Sequence, residues 1–190
     1  MFLELCKKCR SYRRFDYEKK VTREQLVSFI ECARFAASAG NMQRLRFLPV
    51  CDTELCDGIL SNIKFAAYLK DWGGPAKEER PVAYIVIASE AELNTNLAID
   101  LGISAEAIAL AAAEAGVGSC MFRSFSKEGL ESLLELGDMT PHLVISFGYP
   151  SETVLLEDAE NGEIKYYRDE NDRHIVPKLP LSELIIDKDC

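Results

Sequence analysis

Apolar positions recur along this chain in two ways, at helical spacing and in short unbroken runs. Leu26, Phe29, Ile30, Ala33 and Ala37 return every three or four residues. Thr22-Arg23-Glu24-Gln25 just before them is a capping-box pattern, so a helix is predicted from there to a stop at Gly40. Residues 2–9 predict a short amphipathic helix, residues 47–51 a strand, and Asp52 or Thr53 the start of a helix running toward Tyr68. Residues 81–88 and 143–148 are apolar runs of strand length, rich in β-formers, and predict strands buried on both faces. Residues 97–115 are apolar around most of a helical circumference. Such a helix lies in the middle of something, here a protomer core and a subunit interface together, with Ala109 and Ala112 on its apolar back. Gly116 and Gly118 end it. Weaker patterns predict a strand at 120–122, a helix from Ser126 to Leu136, an edge strand at 164–168, an extended tail at 176–180 and a last helix capped by Ser182.

Helices first, then strands separated by helices, make an α+β protein with a central sheet of four or five strands flanked by helices. A length of 190 residues suits one domain spanning 1–190. Asp100, Glu106 and Glu114 interrupt the long apolar segment, which reads as a buried helix and not a membrane span. The amino end turns charged at Glu4, too early for a secretory leader. Seven cysteines at irregular spacing read as free thiols, so a cytoplasmic location is expected. A net charge of −9 argues against general binding to nucleic acid.

That charge is unevenly placed. Residues 7–23 carry +6, which leaves −15 for the rest. A cationic knot on an anionic chain suggests a local anion site, although a solvated helix end is the commoner meaning of such a run. Arg10-Ser11-Tyr12-Arg13 falls where the first helix should end, and arginine forks suit phosphate oxygens. Other motifs fail. Gly116-Val117-Gly118 follows a helix and lacks the third glycine of a dinucleotide loop, since Met121 stands there. Cys6 and Cys9 form one Cys-x2-Cys pair, which needs two further ligands to hold a metal, and no metal site is assigned. Lys7, Lys8 and Arg10 beside that pair favour a thiolate. His142 reads as structural, and His174 faces an anion or solvent. With no nucleophile–base pair evident, no catalytic side chain is assigned, and any hard chemistry falls to a cofactor.

Ser38-Ala39-Gly40-Asn41-Met42-Gln43 then supplies donors and acceptors suited to the edge of a planar heterocycle. Taken with Arg10-Ser11-Tyr12-Arg13-Arg14-Phe15, with Asp100-Leu101-Gly102-Ile103-Ser104-Ala105, with Ala115-Gly116-Val117-Gly118-Ser119 and with Val176-Pro177-Lys178, the chain resembles the nitroreductase family of flavoproteins over nearly its whole length. Arg44 departs from that pattern where proline usually follows the glutamine, and Leu179 where an arginine usually follows the lysine.

The resemblance implies a mixed, mainly antiparallel sheet in an intertwined homodimer, with FMN at the subunit interface. It implies that Arg10, Ser11, Tyr12 and Arg13 approach the phosphate and ribityl chain, joined by Lys178. Ser38, Asn41 and Gln43 then lie near the ring, some from the partner chain, and Gly118 and Ser119 pass close to it. The implied reaction takes hydride from NADH or NADPH through flavin N5 to a nitroaromatic, quinone or similar small-molecule acceptor. A flavin-binding redox sensor or carrier, or a dehalogenating or flavin-fragmenting relative, are the alternatives. Lys70 and Trp72, in the segment 62–72, are candidates for the substrate side.

Overall fold

The computed structural model describes residues 1–65, 68–69 and 72–186. They fall into two units, a larger one spanning Met1–Phe65 and Gly74–Ser151 and a smaller one built on the carboxy-terminal strands.

The larger unit is a four-stranded antiparallel sheet with helices on both faces. Its strands are β1 (Arg46–Val50), β2 (Ala83–Ser89), β3 (Gly118–Phe122) and β4 (Thr140–Gly148), in the order β1-β2-β4-β3. Its helices are α1 (Phe2–Lys8), α2 (Arg23–Arg34), α3 (Thr53–Asn62), α4 (Thr95–Glu114) and α5 (Lys127–Leu134). Strand periodicity decides which face each side chain serves. Ile85, Ile87, Ile145 and Phe147 point into a core shared with Leu26 and Phe29 of α2 and Leu101, Ala105 and Ile108 of α4. Tyr84, Val86 and Val144 point the other way, onto Ile59 of α3 and Leu130 of α5. Two cores, one on each face, are why β2 and β4 read as unbroken apolar runs.

The helix ends follow side-chain chemistry. The Thr22 capping box forms in full, with Thr22 Oγ1 accepting from Gln25 N and Gln25 Oε1 from Thr22 N. Asp52, Asn94 and Ser126 cap α3, α4 and α5 with the first of these two bonds only, accepting from Leu55 N, Leu97 N and Gly129 N. At the end of α4, Val117 N donates to Ala112 O and Gly116 N to Ala113 O, a Schellman closure with Gly116 at φ 73°. That closure aims the chain directly into β3.

Several boundaries differ from the sequence expectation. Helix α2 stops at Arg34, six residues short of Gly40, which instead lies in a 3-10 turn over Ala39–Asn41. Helix α3 ends at Asn62 and does not continue toward Tyr68.

In the smaller unit, β7 (His174–Lys178) is central, parallel to β5 (Val154–Asp158) and antiparallel to β6 (Tyr167–Arg168). The predicted edge strand at 164–168 is thus only two residues long, and the extended tail belongs to a sheet. Pro177 is tolerated there because β6 pairs only with His174 and Ile175, so Pro177 lacks a neighbour on that side. A short helix α6 (Leu181–Leu184) follows, and Ser182 is not its cap. His174, expected to face an anion or solvent, is buried with its ring 5.2 Å from that of Tyr166.

Candidate functional site

The segment after α1 docks along one edge of the sheet. Tyr12 N donates to Ser119 O at 2.9 Å, and Ser11 bridges Ser119 in parallel. Gly118 makes this approach possible. A Cβ there would stand 2.9 Å from Tyr12 Cδ2 and 2.8 Å from Pro150 Cγ. Glycine is required at 118 by space, not by a positive φ. Further along, Phe15 N donates to Glu79 O, and Phe15 bridges Pro150.

This docking gathers Cys9, Arg10, Ser11, Ser119 and Glu106 of α4 around a cavity of about 210 Å3. Arg10 Nη2 donates to Cys6 O at 2.7 Å, while its Nε is buried and has no hydrogen-bond partner among the described residues. Arg10 forms no ion pair with any described carboxylate. Lys7, Arg14 and Lys19 are matched by Glu4, Glu79 and Asp16. The cationic knot of the sequence is therefore partly neutralised, and within it Arg13 is only 9% exposed. Arg13 Nη1 also donates to Ser11 O.

Ser38, Asn41 and Gln43 sit elsewhere in the same unit, on the turn between α2 and β1. Gly40, Asn41 and Gln43 all adopt left-handed backbone, with φ of 58°, 54° and 49°. Asp100 of α4 is buried, and its Oδ1 accepts Ala39 N at 2.8 Å, pinning the turn. Ser38 and Gln43 line a separate cavity of about 300 Å3 with Ile30, Ala33 and Phe47. A protomer thus brings Arg10, Ser11, Tyr12, Arg13, Gly118 and Ser119 into one group and Ser38, Asn41 and Gln43 into another. Lys178 ends β7 in the smaller unit and is exposed. Trp72 also belongs there, with the Arg168 guanidinium 5.8 Å from its ring centre. Lys70 lies outside the described residues.

Three expectations need correction or completion. Cys9 is not poised as a thiolate. Its burial, with Glu106 adding negative charge, pushes the thiol up to about 11 despite the opposing charge of Arg10. His142 is structural, with Nε2 2.9 Å from Ser89 Oγ, and burial lowers its pKa. Asp100 and Glu106 escaped assignment as site residues, although charge inside an otherwise apolar helix was the signal for both.

The fold is thus an α+β sheet covered on both faces, with an arginine held beside one edge strand. A family model described as the Nitroreductase family matches residues 7–149, and the chain belongs to that family, a family of oxidoreductases. A nitroreductase family protein from Streptococcus pneumoniae has a similar fold, with TM-score 0.72 at 20% identity over 99% of this chain and 100% of that one. One from Clostridium difficile gives 0.69 at 20% identity over 100% and 99%. An FMN-dependent nitroreductase, also from Clostridium difficile, gives 0.64 at 24% identity over 84% and 92%. No curated protein matches the sequence.

Proposed function

We propose that the chain is an FMN-dependent NAD(P)H oxidoreductase acting as a homodimer. The observation that carries this reading is the buried, unpartnered Arg10 Nε beside Ser11 and Ser119. A buried polar group without a partner costs stability, so a ligand that satisfies it is favoured. The residues fit the phosphate and ribityl half of FMN. Arg10 and Arg13 supply charge-assisted donors and Ser11 a hydroxyl, while Glu106 can accept from sugar-like hydroxyls. Gly118 lets the backbone of β3 come close to its neighbour.

Ser38 and Gln43 line a different cavity of the protomer, on the turn they share with Asn41, which supports a site completed by the turn of a second chain. Helix α4 presents an unpaired apolar stripe for that contact, with Ile99 55% and Ile103 40% exposed. Bound flavin supplies reversible two-electron chemistry between a nicotinamide donor and a small conjugated acceptor. The protein's own residues anchor the anion, orient the ring edge through fixed turn amides and restrict water.

The test is equilibrium titration of the colourless protein with FMN and with riboflavin, in wild type and in Arg10→Ala and Arg13→Ala. Each substitution should weaken FMN by about tenfold to a hundredfold and riboflavin far less, because only FMN carries the phosphate. Addition of NADH or NADPH should then bleach the bound flavin. A wild-type protein that takes up neither compound refutes the proposal.

A further inference from the structure

The turn that carries Ser38, Asn41 and Gln43 is followed by two arginines, Arg44 and Arg46, that pair with no carboxylate among the described residues. Arg44 forms no hydrogen bond or ion pair among the described residues. Arg46 Nη1 donates to Gln43 O and Leu45 O, both at 2.9 Å, and meets no carboxylate. Among the described residues Arg10, Arg23 and Arg123 share this lack of an acidic partner, in a chain of net charge −9. Arg34, Arg80, Arg168 and Arg173 are each matched by Glu31, Asp57, Glu152 and Asp169.

Arg44, Arg46 and Gln43 line a second cavity of about 210 Å3, closed on its far side by Ala91 and Glu90. Glu90 is the single carboxylate of that lining and pairs with neither arginine, so the cavity remains positive. The backbone of the turn is held in place. Its left-handed residues and the Asp100 tether to Ala39 fix where the arginines start.

We propose that Arg44 and Arg46 form a subsite for an oxyanion on a small-molecule substrate, a carboxylate or a phosphate, taken beside the ring-binding turn. Two guanidinium forks lining one cavity suit the oxygens of such a group, and Gln43 adds a neutral amide. This rests on the oxidoreductase reading above and goes beyond it by naming a charge preference. The anion has two sources in that reaction. One is the 2′-phosphate that distinguishes NADPH from NADH. The other is a carboxylate on the electron acceptor.

Two assays separate these sources. In the first, KM and kcat are measured for NADPH against NADH, and for 4-nitrobenzoate against 4-nitrobenzyl alcohol, with the FMN-loaded wild type, Arg44→Gln, Arg46→Gln and Arg44→Lys. In the second, calorimetry follows binding of 2′,5′-ADP, 5′-AMP and 4-nitrobenzoate to the same proteins. Wild type should prefer the charged member of one pair. Each glutamine variant should erode that preference about tenfold or more through KM, and Arg44→Lys only in part. Loss in the dinucleotide pair assigns the subsite to phosphate, and loss in the acceptor pair assigns it to carboxylate. Normal flavin uptake and turnover with preferences identical in all four proteins overturns the subsite and leaves the oxidoreductase reading intact. Failure to bind flavin refutes that reading instead, and calorimetry still decides the subsite. Binding of 2′,5′-ADP or 4-nitrobenzoate that weakens in both glutamine variants upholds the subsite, and no binding to wild type overturns it.

Discussion

The Asp100 carboxylate accepts the Ala39 backbone N–H at 2.8 Å, across sixty-one positions of sequence. Helix α4 thereby controls two places at once. Near its start it holds the turn that carries Ser38, Asn41 and Gln43. Further along it presents Glu106 to the cavity of Arg10 and Ser11. Six residues separate Asp100 from Glu106, about 9 Å of helix, and they project from different sides of it. The two groups of ligand-binding candidates are therefore kept apart within a protomer and held by one rigid element.

Removing the tether should loosen the turn without unfolding the sheet. Asp100→Ala leaves the Ala39 N–H without its buried acceptor and is expected to cost about 1–3 kcal/mol. Asp100→Asn keeps an acceptor oxygen at that place and should cost less. Urea denaturation measures the stability. Flavin titration of the same variants should show weaker binding in Asp100→Ala than in Asp100→Asn.

Gly118→Ala tests the docking of the amino-terminal segment. The new Cβ meets Tyr12 and Pro150 below 3 Å, so one of them must move. An overpacking cost of about 1–3 kcal/mol is expected, together with loss of the Ser119 contact to Tyr12. Hydrogen exchange at the Tyr12 amide should accelerate in the variant by more than its global stability explains. Gly73→Ala makes the control, because it is exposed and its Cβ enters open space.

The layers of the larger unit were legible because burial on both faces leaves continuous apolar runs, as at 83–88 and 143–148. The capping residues Thr22, Asp52 and Ser126 were legible because a cap is a local bond. The end of α2 was not, since Gly40 resembles a helix stop while the left-handed run around it serves the turn. Lengths of β6 and α3 depend on partners distant in sequence, which leave no local mark. Arg10-Ser11-Tyr12-Arg13 stood out by charge. The separation of that segment from the turn at 38–43 did not, because it is a property of α4's length and of the faces it offers. The state of Cys9 was misjudged by counting neighbouring cations and omitting burial and Glu106.

Stability should depend on the protonation of His142. Burial lowers its pKa beneath the ordinary 6.5, so the unfolded chain binds a proton that the folded chain refuses. The stabilising effect is complete above 6.5 and is lost as pH falls from 6.5 toward the folded value. Unfolding free energy measured by urea titration should therefore rise with pH across that window. In His142→Asn this contribution to the slope should vanish, even though the lost bond to Ser89 lowers stability at every pH.

Subunit contact is tested on the outer face of α4, and the structure moves that test away from Ala109 and Ala112. These two residues are 3% and 0% exposed, turned into the protomer itself. A glutamate at 112 buries an unpaired carboxylate in the core, and the expected result is a protomer that does not fold, while one at 109 enters the cavity of Arg10 and Ser11. Ile99 and Ile103 lie one turn apart on the opposite side, where a chain without a partner leaves them in water. Ile99→Glu and Ile103→Glu should each leave the protomer folded by circular dichroism and shift its sedimentation from dimer to monomer. Flavin affinity should fall with dimerisation, because the turn at 38–43 would no longer reach the cavity of Arg10 on a second chain. A dimer that survives both substitutions, or a monomer that retains flavin at full affinity, would place the completed site within one chain.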